Sequence, residues 1–305
     1  AKGQSLAIRL QVHGGRKAGS WQDFATGEYG DLIDLLQERL GSVTLKETLR
    51  EARSFLSEAP CPAVPRDTQR AERPDAASSK RIARARKLFA AGKPVFGTLA
   101  ATYLQGRGIT RLGPALRYHA RVFLRQGEDD PDLLERAPAL LAKITDNRGQ
   151  ITGCARVFLD PSTGGLAEIE SPKRILGQLH GHAIRFWSGK ARSDLIVGEG
   201  LENTLSVGTA LPEFDLASCL TATHLGLFIP PSGIKRIWIA RDKDKAGRNA
   251  SMKLRNQLES LGIACGDLVP SMGDFNDDLR AFGKDALRRS LLKAMKAQGL
   301  EIEHG

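Results

Sequence analysis

The sequence predicts a multidomain protein, with an open α/β domain that follows an α+β subdomain and a small hairpin-and-helix module. Two apolar runs, residues 195–197 and 237–240, each precede a helical pattern, which gives the β-α-β-α order of a buried parallel sheet. Residues 138–187 instead show short strand patterns separated by turn sequences, which is typical of an antiparallel sheet. Near the start, residues 5–12 alternate apolar and polar side chains, as a half-buried strand does.

The first 92 residues predict a hairpin, two short helices, a linker and a basic helix. The hairpin strands are residues 5–12 and 19–27, and Asp31 is placed to cap the first helix, whose apolar stripe runs to Leu40. A second helix is predicted over 45–56. Residues 58–79 lack periodicity and carry several prolines, which predicts a linker, and a basic helix follows from Lys80 to Gly92.

Strands and helices then fill the rest of the chain. The predicted strands are 116–119, 138–145, 151–159, 167–170, 183–187, 195–197, 218–222, 237–240 and 264–269, and the longer helices are 203–211 and 246–261, with a helical pair after 279. The three tryptophans, Trp21, Trp187 and Trp238, lie in apolar strand patterns, so we expect them in the core.

Composition limits the possible functions. The chain has 305 residues, is 41% hydrophobic and carries a net charge of +10, which favours a polyanionic partner, nucleic acid first. A basic enzyme with no such partner is the alternative. No apolar run is long enough for a membrane span. The four cysteines are scattered singly, so we expect no zinc site and a reducing cytoplasm.

Acidic residues follow three of the predicted parallel strands. Glu199 follows the first, Asp242 and Asp244 follow the third, and Asp274 with Asn276 follows the last. Because the carboxyl ends of parallel strands share one edge, where ligands bind, we expect these side chains to converge. Oxygen ligands of this kind suit Mg²⁺ and phosphoryl transfer. Simple helix capping by Asp242 or Asp244 is the alternative. We also expect the nearby glycines, Gly200 and Gly247, to let the backbone approach a phosphate closely.

These segments resemble the Toprim domain, an α/β fold of Rossmann type. The resemblance rests on Val197-Gly198-Glu199-Gly200, Asp242-x-Asp244-x-Ala246-Gly247 and Asp274-Phe275-Asn276-Asp277, and the basic and small residues at Arg248 and Ala250 are similar to the primase version. It implies that Glu199 acts in proton transfer or metal binding. It also implies that Mg²⁺ or Mn²⁺ is bound by Asp242 and Asp244, with Asp274 and Asn276 as the third element. Asn203 and Asn276 stand where such primases often have Asp, which leaves the number of metal ions open.

The resemblance extends upstream. Residues 21–34 resemble the end of a primase zinc-ribbon module without its cysteines; either the module is degenerate or its metal-bearing half precedes Ala1. Residues 138–187 resemble the segment before Toprim in primase-like proteins of phages, plasmids and integrated mobile elements. The implied divisions are a zinc-ribbon-like module (1–57), the linker (58–79), a basic primase-like subdomain (80–190), the Toprim domain (191–290) and a C-terminal end (291–305).

Six basic residues are candidates for nucleotide or template binding. They are Arg156, Lys173, Arg174 and Arg185, which suit a groove in the predicted sheet, and Lys243 and Arg248, which flank the acidic motif. A solvated sheet face is the alternative for the first four.

The resemblance implies a DNA primase-like nucleotidyltransferase that makes short primers on single-stranded DNA from nucleoside triphosphates. A Toprim nuclease, and an inert nucleic-acid-binding module of a mobile-element replication or transfer protein, are the alternatives. A topoisomerase is disfavoured because the three tyrosines lie in small modules. No P-loop motif occurs, so any helicase would be another chain or a part outside this sequence.

Overall fold

The computed structural model describes residues 6–8, 19, 21–23, 29–40, 48, 76–125, 134–188 and 193–299. The chain divides into two compact units, residues 1–72 and 73–305. Within the described part, no helix has both the length and the apolarity needed to cross a membrane.

The first unit holds a three-stranded antiparallel sheet and one described helix. Strands β1 (Leu6–Ile8), β2 (Trp21–Asp23) and β3 (Tyr29–Gly30) lie in that order, and helix α1 (Leu32–Leu40) follows. Asp31 caps this helix as predicted, because its Oδ1 accepts hydrogen bonds from the N–H groups of Ile33 and Asp34, at 2.8 and 3.1 Å. The predicted second helix lies outside the described residues except for Thr48, which is helical.

The second unit opens with an antiparallel sheet whose two faces are covered by helices. Helix α2 (Ala76–Ala91) and helix α3 (Leu99–Gly106) flank strand β4 (Lys93–Pro94) in the chain. The remaining strands are β5 (Leu116–Arg125), β6 (Leu134–Thr145), β7 (Ile151–Phe158) and β8 (Lys173–Gly177), and the sheet order is β4-β5-β6-β7-β8. Buried Ala85 and Phe89 of α2 pack on one face of this sheet with Cys154 and Phe158.

Two boundaries in this part differ from the sequence prediction. Helix α2 begins at Ala76, inside the predicted linker, since alanine and serine propagate a helix without a proline to stop it; residues 58–75 lie outside the described part. The strand predicted over 167–170 is wrong, and the strand is β8 instead. The Phe158 N–H donates to the Pro172 carbonyl at 2.8 Å, so pairing with β7 resumes only after that proline.

The Toprim-like segment forms a sheet with the order β13-β12-β10-β11-β9. Strands β10 (Asp194–Gly198), β11 (Asp215–Ser218), β12 (Arg236–Ala240) and β13 (Ala264–Leu268) are parallel, and β9 (Ile184–Phe186) pairs antiparallel with β11. The helices are α4 (Leu201–Ala210), α5 (Ala222–Leu225), α6 (Lys245–Ser260) and α7 (Phe275–Ala297), the last kinked at Gly283. The strand predicted over 218–222 is thus displaced, because β11 ends at Ser218 and residues 222–225 are helical. The predicted strand over 183–187 is β9, at the edge of this parallel sheet.

One hydrophobic core spans both sheets of the second unit. It includes Leu104 and Leu140 from the antiparallel-sheet part, and Leu205, Trp238 and Phe275 from the α/β part. This core cluster therefore contains residues from both sides of the predicted boundary between residues 190 and 191. Trp21 and Trp238 are buried as predicted, whereas the prediction for Trp187 is wrong: it follows the last residue of an edge strand and is 56% exposed.

Candidate active site

The structure brings four acidic residues to the carboxyl edge of the parallel sheet. Glu199 follows β10, Asp242 and Asp244 follow β12, and Asp274 precedes α7 after β13. Strands β10 and β12 are parallel neighbours, with Gly198 opposite Ala240, so Glu199 and Asp242 lie close to this register position. The convergence of acids predicted from the strand order is therefore present.

Glu199 is destabilised in its ionised form. Burial raises the pKa of this carboxyl to about 7, with additional repulsion from Asp242 and Asp244, while the Ala222 N–H counters part of the effect. Its Oε2 is buried and has no hydrogen-bond partner among the described residues. Such an oxygen can accept a proton or contact a cation.

Asp242 has the same kind of environment. Burial raises its pKa to about 6, and Asp274 and Asp244 contribute by repulsion. Asn203, only 4% exposed, is hydrogen-bonded to two acidic loops at once. Its amide N–H donates to Asp242 Oδ1, and its Oδ1 accepts from the Phe275 N–H at 2.8 Å.

Asp244 and Asp274 also cap helices. Asp244 Oδ1 accepts from the Gly247 N–H at 2.7 Å at the start of α6, and Asp274 Oδ1 accepts from the Asp277 N–H at 2.8 Å at the start of α7. Capping was the alternative interpretation for Asp244, and the structure shows it; the second oxygen of each carboxylate can still accept another contact. Close packing also explains why glycine stands at position 247, because a Cβ there would lie 2.6 Å from the Asp242 carbonyl oxygen.

The donor set fits a hard divalent cation in charge and chemistry. Four carboxylates meet at one edge, and the orphaned Glu199 Oε2 lacks a counter-charge. Among the described residues, no three His, Cys, Asp or Glu side chains are arranged to hold an ion together as they stand. Asp244 and Asp274 each turn one oxygen to the start of a helix.

Asn276 does not fit the predicted ligand set. It is 2% exposed, its Oδ1 accepts from the Arg107 guanidinium at 3.0 Å, and its Nδ2 donates to the Arg107 carbonyl and to Ser206 Oγ, both at 2.9 Å. The amide instead connects α3 with α4 and α7. Its sequence position beside Asp274 gave no indication of partners more than 60 residues away.

A basic cleft adjoins the acidic edge. Its cavity of about 150 Å³ is lined by Arg156, Lys173 and Arg174 on one side and by Gly200 and Glu202 on the other. Arg156 and Arg174 are directly opposite each other in the β7–β8 pair, and both guanidinium groups lie over the Phe158 ring, at 5.9 and 5.8 Å from its centroid. Burial and then the neighbouring Arg174 lower the pKa of Arg156, and its Nε is buried without a partner among the described residues. An anion would relieve both costs.

Glu202 is a buried carboxylate of a different kind from Glu199. Lys173 Nζ lies 2.9 Å from its Oε2, and the Tyr103 hydroxyl donates to its Oε1 at 2.7 Å. Burial alone would raise its pKa, but the attraction of Lys173 and the two hydrogen bonds prevail and lower it. An ion pair thus holds Lys173 at the cleft. The sequence did not indicate this pair, because Lys173, Glu202 and Tyr103 come from three separate elements, β8, α4 and α3.

The other predicted basic residues lie elsewhere. Lys243 is exposed on the acidic loop and donates through Nζ to the Ser271 carbonyl at 2.7 Å. Arg248 is exposed in the first turn of α6 and donates to the Lys243 carbonyl at 2.9 Å. Arg185 is 5% exposed and donates to the Thr145 carbonyl and to Asn147 Oδ1. It lines a second cavity rather than the basic cleft.

Comparison with family models agrees with the Toprim prediction. Residues 194–285 match the family model of the Toprim domain, and residues 79–186 match a domain of unknown function (DUF7146). The chain therefore carries a Toprim domain, preceded by a mixed helical and antiparallel-sheet subdomain. A search of curated protein sequences finds no match.

Similar solved structures include three primases. The Aquifex aeolicus primase (zinc-binding and RNA polymerase domains) is 15% identical with a TM-score of 0.46, over 96% of this chain and 80% of that one. A DNA primase domain from Pseudomonas aeruginosa is 16% identical with a TM-score of 0.49, over 70% of this chain and 78% of that one. The primase fragment of the bacteriophage T7 primase-helicase protein is 12% identical with a TM-score of 0.42, over 95% and 99%.

Proposed function

We propose that this protein is a DNA primase-type nucleotidyltransferase that makes short primers on single-stranded DNA. The observation that carries the proposal is the contiguity of the two halves of the site. Gly200, the residue after Glu199, lines the same cavity as β7 and β8, the strands that carry Arg156, Lys173 and Arg174. The acidic edge and the strands that carry these basic residues are therefore adjacent, an arrangement that suits polymerisation of nucleoside triphosphates.

Asp242, Asp244 and Asp274 are the residues that would hold Mg²⁺ or Mn²⁺. When bound, such an ion neutralises phosphate charge and supports in-line displacement. Glu199 Oε2, with its pKa near neutrality, is the group that would accept the proton of the attacking 3′ hydroxyl. Asn203 keeps Asp242 and the start of α7 in a fixed relation.

The cations would bind the phosphates of the incoming nucleotide and of the template. Arg156 and Arg174 provide two forked donors suited to phosphate oxygens, and Lys173, which is paired with Glu202, adds a further N–H donor. On α2, the exposed residues Lys80, Arg84 and Lys87 extend the positive surface of the same sheet. Our proposal places the protein on DNA in the cytoplasm, with any helicase supplied by another chain or by a part outside this sequence.

The test is a primer-synthesis assay on single-stranded DNA with labelled nucleoside triphosphates or deoxynucleoside triphosphates and Mg²⁺ or Mn²⁺. We expect labelled oligomers from the wild type and from the matched control Glu168→Gln, which changes an exposed acid of the antiparallel-sheet part. We expect none from Asp242→Ala. Cleavage of the template without synthesis would replace this proposal with the nuclease, and DNA binding with neither product would replace it with the inert binding module.

A further inference from the structure

A second cavity lies at the opposite edge of the parallel sheet from the acidic residues. Its volume is about 280 Å³, and its walls come from the loop before β5, from β6 and from the end of β9. Phe186 of β9 pairs with Leu216, near the amino end of β11, whereas Glu199 follows the carboxyl end of β10. The next residue after β9, Trp187, therefore stands away from the proposed active site, and Ser188 is anchored by its N–H to Asp215.

The lining of this cavity is cationic and aromatic. Arg111, Lys143 and Arg185 line it, and none of the lining residues is acidic. Arg111 donates to the carbonyls of Pro212 and Phe214, and its charge is also near Asp215 and Glu213. The Lys143 amine, by contrast, takes part in none of the ion pairs or side-chain hydrogen bonds found among the described residues.

Arg185 is a buried arginine among the residues that line the cavity. Its side chain is fixed by Thr145 and Asn147, yet its Nε is buried and has no partner in the described part of the chain. The carboxylate of Asp146 is near this guanidinium, which also lies over the Phe228 ring, so Lys143 is the lining cation without an ion-pair partner among the described residues.

Trp187 adds a large exposed aromatic side chain to this site. Its 56% exposure contrasts with Trp21 and Trp238, which are 7% and 0% exposed. An indole face beside cations matches the two parts of a nucleotide, because the base stacks on the ring and the phosphate meets the positive charge. The volume is just below the usual range for small-ligand pockets, about 300–1,000 Å³, which limits the site to one such unit.

We infer that this cavity binds one nucleotide unit, with its base stacked on Trp187 and its phosphate at Lys143. The site is separate from the acidic edge and does not depend on the proposed synthesis. The unit can come from a single strand that passes over the cavity or from a free nucleotide.

The test uses the fluorescence of Trp187 as the reporter in the 305-residue chain. Titration with a short oligothymidylate should quench the fluorescence of the wild type, since Trp187 is the exposed one of the three tryptophans. Trp187→Ala should lose the quench and bind about 5- to 150-fold more weakly. Lys143→Ala should weaken binding and reduce the slope of log K against log salt by about 0.7. Phe96→Ala, which removes an aromatic side chain that is 88% exposed outside the cavity, should behave as wild type.

Further measurements distinguish a free nucleotide from a nucleic-acid strand as the ligand, and loss of stacking from misfolding. If thymidine monophosphate quenches Trp187 as tightly as the oligomer does, the ligand is a free nucleotide; if only the oligomer quenches, it is a strand. Trp187→Phe keeps an aromatic face and should retain most of the affinity, which separates stacking from misfolding. Asp242→Ala should keep the quench, so loss of synthesis leaves this inference intact. Unchanged affinity in both Trp187→Ala and Lys143→Ala, with melting curves like the wild type, would overturn it.

Discussion

Replacing Glu199 with glutamine should stabilise the metal-free protein at alkaline pH. The pKa of Glu199 is about 7 in the fold, against 4.5 for an ordinary glutamate. Each pH unit of such a difference is worth about 1.4 kcal/mol, so an ionised Glu199 costs the fold about 3 kcal/mol at pH 8. The folded state holds its proton more tightly than the unfolded state, so this cost is absent below about pH 4, grows between the unfolded pKa of 4.5 and the folded pKa of about 7, and is fully present above it. Glu199→Gln removes the charge and should recover about 2–3 kcal/mol at pH 8, and almost nothing at pH 4.

The assay is urea unfolding in a chelator at pH 4, 6 and 8, followed by the fluorescence of the buried Trp238 in a Trp21→Phe, Trp187→Phe background. Glu202→Gln is the matched control, because Glu202 is a buried glutamate of the same segment whose pKa is lowered. Its ionised form stabilises the fold above its unfolded pKa, so this variant should lose stability at pH 8 and the loss should shrink in acid. Equal effects of the two substitutions at pH 8, or a Glu199→Gln gain that does not depend on pH, would refute the reasoning.

Three further changes test the site. Asn203→Asp cannot donate to the neighbouring carboxylate and adds a negative charge, so it should destabilise the metal-free protein by about 1–3 kcal/mol, and Mg²⁺ should raise its melting temperature more than that of the wild type. Gly247→Ala should cost at least about 1–3 kcal/mol in urea unfolding, since its Cβ would meet its own loop carbonyl at 2.6 Å, whereas Gly106→Ala, with nothing within 4 Å, should be neutral or stabilising. The double variant Arg156→Ala, Arg174→Ala should weaken single-stranded DNA binding and lower its salt slope by about 1.4; an unchanged slope would remove these arginines from the phosphate contacts.

Sequence reasoning succeeded where a short local pattern determines position. The acids Glu199, Asp242, Asp244 and Asp274 follow apolar strands, and parallel strands place their carboxyl ends at one edge, so their convergence followed from the order of elements alone. Asp31 as a helix cap is a similar case, because a cap depends on only three or four residues.

It failed where a side chain is defined by distant partners. Asn276 was predicted as a metal ligand from its place in a motif, but its amide bonds to Arg107 and Ser206. Trp187 follows an apolar strand pattern in the sequence. Only the structure shows that β9 is an edge strand and that it ends at Phe186, the residue before Trp187. The Lys173–Glu202 ion pair likewise joins two elements, β8 and α4, that become neighbours only in the folded structure.

In the second unit, a core cluster spans both sheets, and direct contacts join the antiparallel-sheet part to the helices beside the acidic edge. The Lys173–Glu202 and Arg107–Asn276 contacts run from the antiparallel-sheet part to α4 and α7, which carry or adjoin the acidic loops. If a strand at the arginines raises the affinity for a cation at the acids by some factor, the cation must raise the affinity for the strand by that same factor. The affinity for the template strand, measured with and without the cation, and the affinity for the cation, measured with and without the strand, should then give the same coupling free energy.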